Sequence, residues 1–200
     1  MRAGTLTAML LVGGKSRRMG TDKATLMMAF ERLWQRQLGV LRELEPETLW
    51  ISARFRPDWC PGEIEVVRDV PPSRGPLSGI AAALARLQTS HLLAMAIDMP
   101  QMTAAHIRKL LSCARPGCGV VPINENWFEP LCALYPAEAS DVALHSLAQG
   151  QLSLQEFARS LSQRNWIKHY QVLDSEKHLY LNLNEPAPDS LRNSIPGSKP

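Results

Sequence analysis

The sequence predicts an α/β fold built on a mostly parallel central sheet. Two patterns support this. Short, continuous apolar runs alternate with stretches whose apolar residues recur at helical spacing, which is how strands and crossover helices succeed one another in such folds. Two of the apolar runs also end abruptly in charged segments. Ala8-Met9-Leu10-Leu11-Val12 leads into Gly13-Gly14-Lys15-Ser16-Arg17-Arg18-Met19-Gly20-Thr21-Asp22-Lys23, and Leu92 to Ile97 leads into Asp98-Met99-Pro100. Parallel sheets bind ligands outside the carboxyl ends of their strands, so chemistry is expected there.

The elements follow in order. The first strand is the run ending at Val12. Leu33 to Leu44 is a helix, with apolar residues at Leu33, Trp34, Leu38, Leu41 and Leu44. Leu49-Trp50-Ile51 is a second strand and Ile64 to Val67 a short third. Pro71-Pro72-Ser73-Arg74-Gly75-Pro76 is a loop by composition. Leu77 to Leu87, rich in Ala and Leu, is a helix. Leu92 to Ile97 is a central strand that Pro100 terminates. Thr103 is the N-cap of a helix running to about Cys113. Gly119-Val120-Val121 and Pro130 to Tyr135 are strands, and Ala137 to Ala148 and Leu154 to Leu161 helices. Strands near Trp166-Ile167 and Leu181 to Leu183 complete a single domain over residues 1–192. Residues 193–200 are polar and contain Pro and Gly, and are expected to form a flexible tail. No internal repeat is present.

Composition narrows the function. Two hundred residues suit one domain. Lys plus Arg is 22 and Asp plus Glu is 19, a formal charge of +3, too mild for a nucleic-acid binder. No apolar run reaches the roughly eighteen residues of a membrane span, and the short N-terminal run lacks a signal-peptide cleavage site. Cys60, Cys113, Cys118 and Cys132 form no Cys-x-x-Cys pair, so free thiols and a cytoplasmic location are expected. None of the five histidines stands at metal-ligand spacing. The tryptophans, Trp34 and Trp50 among them, sit in apolar stripes and are expected in the core.

The candidate site residues cluster at the predicted strand ends. A glycine-rich, cation-rich turn after a strand lets backbone approach a polyphosphate, because no Cβ blocks the approach and the cations offset phosphate charge. The turn is not a P-loop, since Met9 occupies the position of the required first glycine. Nor is it a dinucleotide fingerprint, since Gly13 and Gly14 are adjacent. Asp98, at the end of a central strand, suits Mg²⁺, which takes one or two carboxylates and completes its shell from phosphates and water. Asp69 follows a strand too, and could meet a ribose, a base edge or the metal, or simply bond its own backbone. Gly75 and Gly79 open a helix and permit close approach of something flat or of another backbone. Asn182 and Asn184 would place two amides on one face of a strand, suited to a polar heterocycle or a phosphate.

In this order the motifs resemble the molybdenum cofactor guanylyltransferases, the MobA family of nucleotidyltransferases. The opening signature is Leu11-Val12-Gly13-Gly14 through Arg18-Met19-Gly20 and Asp22-Lys23. Asp69 then precedes Gly75-Pro76-Leu77-Ser78-Gly79, and Asp98-Met99-Pro100, Pro130-Leu131-Cys132-Ala133-Leu134-Tyr135 and Asn182-Leu183-Asn184-Glu185-Pro186 follow. The resemblance implies a Rossmann-like three-layer sandwich of the nucleotide-diphospho-sugar transferase type. It implies transfer of GMP from GTP to the phosphate of molybdenum-bearing molybdopterin, with release of pyrophosphate and dependence on Mg²⁺. It assigns the nucleotide to Leu11, Val12, Gly13, Gly14, Lys23, Asp69, Gly75, Gly79 and Asp98. Arg18 and Lys23 are then the phosphate-neutralising cations, Asp98 the metal ligand, and Asn182 and Asn184 the residues facing the pterin. Proteins that deliver the cofactor or receive it would be partners. The chain departs from the family at Phe30-Glu31-Arg32, Ser52, Gly150-Gln151-Leu152-Ser153-Leu154 and Trp127-Phe128-Glu129, the last standing where the family commonly has an Arg. A related enzyme using CTP or another phosphorylated acceptor, or a non-catalytic binding protein, stays open at this point.

Overall fold

Two strands at the centre of the molecule, β1 (Leu6–Leu11) and β6 (His91–Ala96), are buried at every residue. They pair in parallel, and β4 (Thr48–Ser52) flanks β1 on its other side. Strands covered on both faces need apolar side chains throughout, which is why they read as unbroken apolar runs. This computed structural model describes residues 5–13, 23–28, 30–69 and 75–183.

Among these residues one eight-stranded sheet forms, and most of its strands run in a common direction. Beyond β4 lies β5 (Glu65–Val67), also parallel. On the other side, β9 (Cys132–Pro136) runs antiparallel between β6 and β7 (Gly119–Asn124), and β10 (Ile167–Gln171) is parallel to β7 at the far edge. Because β9 opposes both neighbours, β7 and β10 point the same way as β1 and β6. One edge of the sheet therefore collects the carboxyl ends of β1, β4, β5, β6, β7 and β10. The close approach of β7 to β9 requires Gly119, where a Cβ would collide with the Leu134 carbonyl.

Helices cover both faces. On one, α1 (Leu33–Arg42), α3 (Ala104–Cys113) and a 3-10 helix (Asp174–Tyr180) pack Leu38, Leu41, Ile107, Leu110 and Leu179 against Leu10, Leu93 and Met95. On the other, α2 (Pro76–Leu84), α4 (Ala139–Ala148) and α5 (Leu154–Gln163) pack Ile80, Ala143 and Phe157 against Met9, Leu92 and Tyr135. The result is the expected three-layer sandwich. Thr103 caps α3 as predicted, accepting the His106 N–H at 3.2 Å.

Two strand pairings escaped sequence reading. Met27–Met28 (β2) and Glu31–Arg32 (β3) form a small separate hairpin, and Trp127–Phe128 (β8) pairs with the end of β7. Two expectations are corrected. Trp127 is 63% exposed and not in the core, because it lies on the outward face of the short β8. Leu181 to Leu183 is not a strand. After β10 the chain winds into the 3-10 helix, and the Leu183 N–H then donates to the Asp98 carbonyl at 3.0 Å instead of extending the sheet. Asn182 thus lacks the strand expected to align it with Asn184. Asn184 and the expected tail, 193–200, lie outside the described residues.

Candidate active site

Backbone pairing continues past the strand ends and gathers the site. The Val12 N–H donates to the Ser52 carbonyl at 3.1 Å, Ile97 N–H to Leu11 carbonyl at 3.0 Å, and Ala53 N–H to Val67 carbonyl at 3.2 Å. Val12, Ser52 and Asp98 are thereby held along one edge, and exposed Gly13 follows Val12 there. A 3-10 turn, Lys23–Thr25, brings the chain back, and Lys23 Nζ stands 3.7 Å from Asp98 Oδ2. Both side chains are mostly covered, 19% and 23% exposed, so their attraction is screened less than at an open surface. The structure thus joins two residues seventy-five positions apart in the sequence that were predicted separately.

Asp98 owes its placement to α1. The fully buried Gln37 donates from Nε2 to the carbonyls of Ile97 at 3.1 Å and Met99 at 2.7 Å. Arg36 Nε donates to the Pro100 carbonyl at 2.7 Å. These bonds clamp the Asp-x-Pro turn from below, and sequence reading did not find them. The signal was present, however: Gln37 lies one turn from both Leu33 and Leu41, a polar residue inside a buried apolar stripe.

Asp69 approaches from the β5 end. Its Oδ1 accepts the Ser52 hydroxyl at 3.4 Å. Gly79, buried in the first turns of α2, makes that approach possible: a Cβ there would collide with Ser52 Oγ and lie 3.3 Å from Asp69 Oδ1. Gly75, the exposed N-cap of α2, holds φ at +90°, a region that disfavours residues with a Cβ. The helix starts at the ligand edge, so the positive end of its dipole faces the site. Asn182 arrives with Leu183 beside Asp98, and its Oδ1 is buried without a hydrogen-bond partner among the described residues.

Of the predicted residues, Leu11, Val12, Gly13, Lys23, Asp69, Gly75, Gly79, Asp98 and Asn182 all lie at this edge or line its approach. Gly14, Arg18 and Asn184 lie outside the described residues. Among the described residues no group of three or more His, Cys, Asp and Glu side chains forms a metal cage. Asp98 offers a single hard oxygen donor at the edge, which fits an ion that takes one protein carboxylate and finishes its shell on phosphates and water.

A polar cluster supports the segment leading to Asn182. Glu176, 5% exposed, accepts from Lys109 Nζ at 2.8 Å, from Tyr170 OH at 3.0 and 3.1 Å, and from Leu173 N–H at 3.3 Å. Burial alone would raise its carboxyl pKa; these donors more than reverse that and hold it below the usual value. His106, 2% exposed, shares a 2.6 Å hydrogen bond between its Nε2 and Tyr180 OH. Burial keeps its pKa below the ordinary imidazole value despite the nearby Glu176.

Lys23 and Asp98 meet at the edge where the central strands end and α2 begins, which is where parallel α/β sheets place their ligands. Residues 8–166 match the family model described as the MobA-like NTP transferase domain, and the chain belongs to that family. It is 36% identical to a protein of Opitutus terrae named probable molybdenum cofactor guanylyltransferase, over 92% of this chain and 93% of the relative. A solved structure of molybdopterin-guanine dinucleotide biosynthesis protein A from Archaeoglobus fulgidus superposes with a TM-score of 0.67 at 25% identity, covering 94% of this chain and 96% of that one. The 2-C-methyl-D-erythritol 4-phosphate cytidylyltransferase of Thermus thermophilus shares the fold at a TM-score of 0.61, 11% identity and 89% and 92% coverage. The fold is that of the nucleotide-diphospho-sugar transferases. No helix among the described residues is long and apolar enough to cross a membrane.

Proposed function

We propose that the protein transfers GMP from GTP to the phosphate of molybdenum-bearing molybdopterin. The observation that carries this reading is the Lys23–Asp98 pair, built at the sheet edge in a chain whose relatives bear the guanylyltransferase name. An acceptor phosphate oxygen attacks the α-phosphorus of GTP, the α–β phosphoanhydride bond breaks, and pyrophosphate leaves with the bonding electrons. The attacking phosphate is already anionic, so no side chain has to remove a proton; alignment and charge neutralisation supply the catalysis. Lys23 offsets phosphate charge, and Arg18 and the backbone of Leu11, Val12, Gly13 and Gly14 complete the cradle. Asp69 and Gly75 border the nucleoside, with Gly79 giving Asp69 its room. Asp98 would hold Mg²⁺. When bound, that ion supplies charge stabilisation for the departing pyrophosphate. Asn182 and Asn184 face the acceptor. The four free cysteines support a cytoplasmic location, where proteins delivering or receiving the cofactor would be met.

The test is direct. Purified protein with GTP, Mg²⁺ and molybdenum cofactor releases pyrophosphate, and chelation of the metal abolishes release; absence of release in the complete mixture counts against the reading. Base choice is read by thermal shift, since ligand at a hundred times its Kd adds about 2.7 kcal/mol of stability. GTP shifts the melting temperature more than CTP; the reverse order overturns the guanine assignment.

A further inference from the structure

The β7–β8 hairpin presents a bulky apolar side chain at the ligand edge, on a frame that cannot easily move. Trp127 is 63% exposed, while its neighbour Phe128 is buried on the opposite face. The hairpin is short, yet it is tied in three places. Phe128 exchanges two hydrogen bonds with Gln155 of α5, at 3.1 and 2.8 Å. The Val172 N–H donates to the Ile123 carbonyl at 3.0 Å, and Lys177 of the 3-10 helix pairs with Glu125 at the hairpin tip at 3.4 Å. Rigid exposure of an indole is what a stacking surface requires.

Trp127 pairs across the hairpin with Asn124, so the two side chains leave the sheet on the same face. Asn124 Oδ1 is buried and has no hydrogen-bond partner among the described residues. The Oδ1 of Asn182, on the segment closing over Asp98, shares that condition. Only the start of β9 separates the β6 end from the β7 end, two strand spacings or about 10 Å.

We infer that Trp127 and Asn124 form the seat of the acceptor's heterocycle: a flat ring stacks on the exposed indole while its edge meets the half-buried Asn124 side chain, with its phosphate reaching back to Asp98. This rests on the transferase reading above and assigns its acceptor a place. The hairpin acts as a specificity determinant for the acceptor and plays no part in holding GTP.

The probe is 6-hydroxymethylpterin monophosphate, followed by quenching of the pterin's own fluorescence, with pyrophosphate release measured in parallel. Stacking on an aromatic ring is worth about 5- to 150-fold in affinity. Trp127→Ala weakens pterin binding by about tenfold or more, Trp127→Phe stays within about threefold, and Asn124→Leu weakens it again. In turnover the alanine variant raises KM for the acceptor and leaves KM for GTP unchanged. Unaltered pterin affinity and acceptor KM in Trp127→Ala, with active wild type, overturns this seat and leaves the transferase reading intact. Equal rises in both KM values also overturn it, since they indicate a structural role. Trp127-dependent pterin binding in a wild type that releases no pyrophosphate supports the seat and overturns the transfer. A wild type that binds no pterin overturns the seat.

Discussion

Asp98 has two separable duties at its one position. Its main-chain carbonyl receives Leu183, and its side chain faces Lys23. Asp98→Asn keeps the first and removes the charge of the second. The variant is expected to fold with an unchanged circular-dichroism spectrum and melting temperature within a few degrees, while pyrophosphate release falls by about 10²–10³. Full activity in that variant would show that the metal is held elsewhere. Lys23→Met removes the partner charge and is expected to lose turnover on the same scale. The sequence marked Asp98 as a charge directly after a buried run, which has few structural uses, and Lys23 as a cation of the glycine-rich turn. It could not show that they meet, since they stand seventy-five positions apart in the chain.

At the scale of elements, two helices position the site by opposite means. Helix α1 uses a buried polar side chain: Gln37 pins the turn that holds Asp98. Helix α2 uses a missing one, since Gly79 lets it sit against Ser52 and Asp69. Gly79→Ala therefore forces the helix and the β4 end apart. Overpacking of this kind costs about 1–3 kcal/mol, read as a lowered urea midpoint, and the GTP-induced thermal shift shrinks as Asp69 is displaced. An unchanged midpoint and an unchanged shift would show that Ser52 rotates away at no cost. The helices and longer strands were legible because their periodicity extends over many residues. The hairpins β2–β3 and β8 were not, since two residues per strand leave no periodic signal. The segment 181–183 misled because short apolar spacing suits an extended chain whether or not a strand pairs with it.

Across the whole molecule, the Glu176 cluster couples α3, β10 and the 3-10 helix, and it responds to acid. Glu176 has a folded pKa below the ordinary 4.5, so its stabilisation is complete above that value and is lost as pH falls through the folded pKa. His106 is kept neutral below the ordinary 6.5; under acid the unfolded chain binds a proton that the folded chain refuses, so stability again falls with pH. The melting temperature is expected to decrease from about pH 7.5 to about pH 5 through His106, and again below about pH 4.5 through Glu176. Glu176→Gln removes the later component. It also withdraws the charge that favours His106 protonation, so the earlier decline becomes steeper. A wild-type melting temperature flat from about pH 7.5 to about pH 5 would contradict the His106 assignment, and one flat below about pH 4.5 would contradict the Glu176 assignment.

The sequence by itself determined the alternation of strands and helices, the buried strands β1 and β6, and the residue types that stand at their ends. Burial and backbone geometry impose those locally, through periodicity, glycine and abrupt changes of polarity. Only the tertiary structure decided the antiparallel insertion of β9, the Lys23–Asp98 juxtaposition and the Gln37 clamp. Each depends on which distant segments become neighbours. That is settled by packing two apolar layers against one sheet, and no local stretch of the chain encodes it.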